Sequence, residues 1–202
     1  MKILIGTPIH EVKDYAIPRW LENVAKLQQK YPADLLLVDN SDNVEYVEKV
    51  KGYCKKYKVK NYDIKHLKIG KWQPSPEKIG RSREIIREVF LAKEYDAWFS
   101  WECDQIIPTN TLNVLIKIMS SGNYSMVHPN SLSREMPTDE PNANFGCCLI
   151  HRKALEKHSF MLTPPDDCWA SGEARFKKQV LAAGGTYIEI YGIIKPIYHL
   201  DK

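Results

Sequence analysis

No run of apolar residues in this 202-residue chain approaches the ~20 needed to cross a bilayer as a helix. The opening Met1-Lys2-Ile3-Leu4-Ile5-Gly6-Thr7-Pro8 is too short for a signal peptide and reads as a first strand, so the expectation is a cytoplasmic protein without a transmembrane segment. The five cysteines, Cys54, Cys103, Cys147, Cys148 and Cys168, are odd in number and form no C-x-x-C pair, which argues against a zinc knuckle or a disulfide framework. Cys147 and Cys148 sit in an apolar run and read as small core residues. No G-x-G-x-x-G follows a strand, which disfavours Rossmann dehydrogenases and methyltransferases. The stretch Gly6-Thr7-Pro8-Ile9-His10-Glu11 also lacks the Gly-rich, basic loop with which nucleotidyltransferases cradle a triphosphate. Internal repeats and low-complexity tracts are absent. Neither sign of charge dominates: 29 basic and 25 acidic residues leave a net charge of +4. The basic excess in Lys51 to Lys60 reads as a solvated helix end rather than a nucleic-acid groove, with room for weak attraction to phosphates or a peripheral anionic membrane surface.

What is present is enough apolar material, 44% of residues, to bury a sizeable core in one domain. Asp34-Leu35-Leu36-Leu37-Val38-Asp39 is a continuous apolar run between acids, the pattern of a strand covered on both faces of a parallel sheet. It is preceded by a strand at Lys2 to Thr7 and a helix opening near Pro18, with Ile17, Trp20, Leu21, Val24 and Leu27 along one face. After it come a helix over Val44 to Lys56 and a strand over Tyr62 to Ile69. Trp72-Gln73-Pro74-Ser75-Pro76 then reads as a loop that stops regular structure, followed by a helix from Glu77 to Lys93 and a strand from Ala97 to Trp101. This alternation predicts a doubly wound α/β fold, in which ligands bind beyond the carboxyl ends of the strands. Thr7, Asp39, Glu102 and Asp104 all fall there.

The second half is less regular. Helices are expected at Thr111 to Met119, Arg152 to His158 and Glu173 to Ala183, and strands at Met126 to His128, Phe145 to Ile150 and Thr186 to Tyr191. The polar stretch from Asn130 to Asn144 reads either as a functional loop, such as a lid or acceptor-site loop, or as a disordered one, and Thr163 to Asp167 as a turn.

The most informative segment is Trp98-Phe99-Ser100-Trp101-Glu102-Cys103-Asp104, an apolar strand running into two carboxylates one residue apart. Along an extended chain the two side chains point the same way, where oxygen ligands can hold Mg²⁺ or Mn²⁺ against a diphosphate. The same pattern also describes two acids ending a strand in solvent.

In order, these pieces resemble the GT-A fold glycosyltransferases, specifically the family 2-like, inverting enzymes that use nucleotide-sugar donors. The resemblance covers nearly the whole chain. It rests on strands ending at Thr7-Pro8 and Asp39, Arg83 before the acidic strand, and Glu102-Cys103-Asp104 in place of the D-x-D motif. Asn144-Phe145-Gly146, an acid opening a helix that ends in glycine, and the late His199 complete it. The implied fold is a single GT-A domain over 1–202, a three-layer α/β/α sandwich around a mostly parallel, mixed sheet. Residues 1–108 would bind the nucleotide sugar and 109–202 the acceptor.

By the same resemblance Asp39 would contact the donor base, with Thr7 and Pro8 lining that pocket, and Arg83 would face the diphosphate. Asp104, Glu102 and His199 would hold Mn²⁺ or Mg²⁺. Glu102 departs from the usual aspartate, and its longer reach leaves it a role through water or on the donor ribose. Glu173 would be the catalytic base, with Gly172 in the place of a first acid and Asp166 and Asp167 as rival bases. The residues taken alone also allow Asp39 as a turn acid, Arg83 as an exposed partner of Glu84 or Glu88, His199 as a surface histidine, and Glu173 as a helix first-turn acid. Trp101 and Trp169 could stack on sugar faces, Trp101 more readily as packing. His10 and Glu11 carry no pattern that separates them from loop residues.

The function this implies is transfer of a sugar from a UDP- or GDP-sugar to a hydroxyl on a glycan, lipid or protein acceptor, with no nucleic-acid partner. The rivals are a degenerate GT-A domain that binds nucleotide or glycan without turnover and, on weaker grounds, a sugar-nucleotide nucleotidyltransferase.

Overall fold

Leu35, Leu36, Leu37 and Val38 are all buried, and they alternate between two separate cores. That alternation organises the whole molecule, whose computed structural model describes residues 1–129, 145–161 and 169–201, the side chains of 169–171 excepted. In chain order the elements are β1 (Ile3–Ile9), α1 (Ile17–Lys30), β2 (Asp34–Asp39), α2 (Tyr46–Tyr57), β3 (Tyr62–His66), α3 (Ser75–Ala92) and β4 (Ala97–Trp101). There follow β5 (Gln105–Ile106), α4 (Thr111–Gly122), β6 (Met126–Pro129), β7 (Cys147–His151), α5 (Arg152–Leu155), α6 (Trp169–Ala182), β8 (Tyr187–Ile190) and β9 (Tyr198–His199). One 3-10 turn, Glu11–Lys13, follows β1.

Seven strands form the central sheet in the order β3-β2-β1-β4-β7-β6-β8. All run parallel except β7, which is antiparallel to both neighbours. Side chains of a strand alternate between faces. Ile3, Ile5, Leu35, Leu37, Phe99 and Trp101 therefore meet α1, α2 and α4 through Trp20, Leu21, Val50 and Leu115. Leu4, Leu36, Val38 and Trp98 meet α3, α5 and α6 through Ile86, Phe90, Leu155, Phe176 and Val180. The result is the expected α/β/α sandwich. Each such large apolar side chain contributes about 1.5–3 kcal/mol by leaving water, and both layers are seated by aromatic contacts. Trp20 meets Trp101 edge-on at 5.2 Å, and Phe160 stacks on Phe176 at 4.2 Å.

Gly6 sets how closely α3 approaches the sheet. A Cβ at this position would lie 2.4 Å from Ile86 Cγ2 and 2.5 Å from Trp98 Nε1, while Trp98 Nε1 donates to the Gly6 carbonyl at 3.0 Å. Only a glycine lets the helix rest there.

Element bounds differ from expectation at three instructive places. The proline-rich segment does not stay a loop through Pro76: α3 begins at Ser75 with proline in its first turn, where the missing N–H would have had no partner anyway. Helix α6 begins at Trp169, so Glu173 lies past the first turn rather than opening the helix. Strand β3 stops at His66, short of Ile69. The stretch 130–144 and residues 162–168, which include Asp166 and Asp167, lie outside the described residues.

A two-stranded antiparallel ribbon joins β5 to β9 and sets Gln105 opposite His199. The Leu200 N–H donates to the Asp104 carbonyl at 2.8 Å, fastening the C-terminal segment beside the end of β4. Cys54, Cys103, Cys147 and Cys148 are buried free thiols, and burial pushes Cys54 and Cys103 up to about 12. Among the described residues no helix is long and apolar enough to cross a membrane.

Candidate functional site

The carboxyl ends of β1, β2 and β4 open on one rim, and a cavity of about 500 Å³ lies there. Pro8 and Lys13 reach it from β1 and the following turn, Asn40 from the end of β2, and Lys78 and Arg83 from α3. Ser100 to Asp104 supply its floor, and Glu173 enters from α6.

Glu102 and Asp104 converge, but not because the chain is extended. Strand β4 ends at Trp101, and Cys103 and Asp104 form a turn in which the Gln105 N–H donates to the Glu102 carbonyl at 3.2 Å. The β5–β9 ribbon then delivers His199. One ligand atom each from Glu102, Asp104 and His199 lie within 4.8 Å of one another. Two carboxylate oxygens and a neutral imidazole nitrogen suit Mn²⁺, and Mg²⁺ less closely. Gln105 sits among them: its Nε2 lies 3.0 Å from Glu102 Oε2 and 2.7 Å from His199 Nε2, and its Oε1 is buried with no hydrogen-bond partner. The Glu102, Asp104 and His199 donor set fits a divalent cation. Asp104 is buried and its Oδ2 is paired with Lys13 Nζ.

Arg83 and Glu173 form a second, more deeply buried ion pair, joining α3 to α6. Arg83 is thus neither exposed nor bound to Glu84, which pairs instead with Arg87 at 2.7 Å. Glu173 Oε2 also accepts the Phe145 N–H at 3.0 Å. Burial pushes the Glu173 carboxyl above its ordinary value against the opposing pull of Arg83. Arg83 Nε is buried with no hydrogen-bond partner.

The residues expected around a base are arranged differently. Pro8 lines the cavity; Thr7 does not, being fully buried with its hydroxyl donating to the Trp101 carbonyl at 2.8 Å. Asp39 is also fully buried and off the cavity wall. Its Oδ1 accepts the Ser41 N–H at 3.0 Å and the Ser41 hydroxyl, and its Oδ2 lies 2.8 Å from His66 Nδ1. Both of its oxygens are thus engaged within the protein, and the neighbouring Asn40 lines the cavity. Trp101 is packing: it is buried and donates to the Gln105 carbonyl at 3.0 Å. Sequence reasoning missed Lys13 and Lys78, both cavity cations. Only their position within a turn or two of a rim segment could have marked them.

No family model and no curated protein matches the sequence. Solved structures do. S. aureus TarS aligns with a TM-score of 0.70 at 14% identity, over 95% of this chain and 35% of its own. TarS 1–349 in complex with UDP gives 0.65 at 14% identity, over 94% and 61%. The fold is of the GT-A glycosyltransferase type. The mannosyltransferase PcManGT from Pyrobaculum calidifontis, in complex with GDP-Man and Mn²⁺, shares it at a TM-score of 0.68 and 13% identity, over 95% of this chain and 55% of its own. The present chain thus spans from about a third to three fifths of the length of these relatives.

Proposed function

We propose that this chain is an inverting glycosyltransferase that moves a sugar from a UDP- or GDP-sugar to an acceptor hydroxyl. The observation that carries the proposal is the convergence of Glu102, Asp104 and His199 beside a cavity at the strand ends. It is supported by a fold shared with structures that hold UDP, or GDP-Man with Mn²⁺. In this reading Glu102, Asp104 and His199 hold Mn²⁺ or Mg²⁺, which when bound neutralises charge on the donor diphosphate. Lys78 and Arg83 add fixed positive charge from α3, and Pro8 and Asn40 wall the nucleotide's end of the cavity.

Glu173 takes the base role: it accepts the proton of the acceptor hydroxyl as that oxygen bonds to the sugar's anomeric carbon. The bond to the diphosphate oxygen breaks on the opposite face, and the nucleoside diphosphate leaves. Its raised affinity for a proton suits a base. Asp166 and Asp167 remain the rival bases. Residues 1–108 form the donor half and 109–202 the acceptor half, with a glycan, lipid or protein as acceptor. A cytoplasmic setting, where thiols stay reduced, accords with the buried free cysteines.

One feature favours a second reading, a binding domain without turnover: Asp104 and Glu173 each already have an internal cation as partner. Calorimetry with UDP and GDP, each with and without Mn²⁺, tests the donor site, and metal-dependent binding of one of them is expected. Incubation of the wild type and Glu173→Gln with the matching sugar nucleotides then separates the two readings. The transferase reading requires donor turnover that the variant loses while keeping nucleotide affinity. Binding without turnover for any donor leaves the binding domain.

A further inference from the structure

We infer that Lys13 is a built-in counter-charge on Asp104 that a divalent cation must displace, and that it couples cation binding to nucleotide binding. The inference rests on the metal-site reading of Glu102, Asp104 and His199. Lys13 Nζ pairs directly with Asp104 Oδ2, and the two side chains are 36% and 3% exposed. The carboxylate is enclosed while the ammonium keeps a path to water and to the cavity it helps line.

The contact is built rather than incidental, because the turn that carries Lys13 is tied down on several sides. The Lys13 N–H donates to the His10 carbonyl at 2.9 Å, and His10 Nδ1 accepts the Val12 N–H at 3.2 Å. The Glu11 N–H donates to Ser41 Oγ at 2.8 Å, and that hydroxyl in turn donates to Asp39. Just beyond, Asp14 pairs with Lys49 at 2.7 Å. A relay from His66 through Asp39 and Ser41 thus sets the turn at a height from which Lys13 reaches Asp104.

Asp104 brings one negative charge, which cannot fully serve both an ammonium and a divalent cation. A cation entering the Glu102, Asp104, His199 set competes with Lys13 for the Asp104 carboxylate, and so binds more weakly than the three ligands alone would allow. Displaced, Lys13 remains anchored beside the cavity with its charge uncompensated. A nucleoside diphosphate gives it a new partner, which offsets the loss. Cation and diphosphate consequently favour one another, and by linkage the effect is reciprocal.

The test uses Mn²⁺ alone, titrated by electron paramagnetic resonance into the wild type, Lys13→Met, Lys13→Arg and Asp104→Asn, then repeated with saturating UDP or GDP. Lys13→Met should bind Mn²⁺ about tenfold tighter than wild type, as expected for releasing a half-exposed ion pair. Lys13→Arg should stay near wild type, and Asp104→Asn should lose the site. The tightening of Mn²⁺ binding by nucleotide should shrink in Lys13→Met. Unchanged or weaker Mn²⁺ binding by Lys13→Met overturns the inference, as does absence of Mn²⁺ binding from both proteins, which removes the metal site with it. Tighter binding by Lys13→Met in a protein that ignores both nucleotides keeps the counter-charge, removes the coupling, and counts against the transferase reading instead.

Discussion

Two of the ion pairs that border the cavity, Lys13–Asp104 and Arg83–Glu173, differ in how far water reaches them. In Lys13–Asp104 the cation is 36% exposed, whereas in Arg83–Glu173 the side chains are 9% and 3% exposed. The first links two rim segments, the turn after β1 and the turn after β4; the second links two helices across a packed layer. A pair with one wet partner can be exchanged for a ligand at little cost. A dry pair cannot lose one member without stranding the other, so it acts as scaffold as much as chemistry. By this measure the Lys13–Asp104 pair is open to exchange and the Arg83–Glu173 pair is held in place.

The comparison breaks most visibly if the dry pair is cut. Glu173→Ala strands Arg83 and should cost about 3–5 kcal/mol of unfolding free energy. Arg83→Met combined with Glu173→Leu should cost less than either single change, as urea unfolding of the three variants would show. Single changes costing under about 1 kcal/mol would erase the distinction drawn here. Next in size is Gly6→Ala, whose methyl would press on Ile86 and Trp98 and should cost about 1–3 kcal/mol. Because it lifts α3, the helix that carries Arg83, it should also weaken nucleotide binding, readable by calorimetry. Lys13→Met should lower stability by only about 1 kcal/mol in the same urea series. The smallest effect is confined to the pH profile of turnover. A base must be deprotonated, and burial raises the proton affinity of Glu173. The acidic limb of the rate should therefore lie at higher pH than for an ordinary glutamate, and an initial-rate series across acidic buffers would locate it.

Much of this architecture was legible in the residues, for reasons that differ by element. Strand β2 was plain because a strand covered on both sides must be apolar without interruption, and Leu35 to Val38 are. Strand β4 was equally plain, and its end marked the acidic turn. The convergence of Glu102 and Asp104 was anticipated through strand alternation, yet a turn produces it; the one-residue spacing is compatible with either geometry. Asp39 was assigned to a ligand because a strand-tip acid looks alike whether it faces a cavity or its own turn; its bonds to Ser41 and His66 could not be read from the chain. Prolines 74 and 76 were taken to stop structure, although proline at a helix start is pre-organised for it. What could not be read was pairing across distance. Nothing local to Arg83 announces Glu173, and nothing in the turn after β1 announces that Lys13 will find Asp104.

The buried thiols turn this arrangement into a clock. Cys54 lies on the buried face of α2, Cys103 within the acidic turn and Cys147 at the head of β7, and all three are deprived of solvent and of ready ionisation. A thiol reagent at neutral pH can reach each only when its own surroundings open. Cys103 is flanked by Glu102 and Asp104, so its rate of modification times the opening of the acidic turn itself. The rate at Cys54 times the yielding of helix α2, which lets one chain report, residue by residue, whether its acidic turn loosens before this helix does.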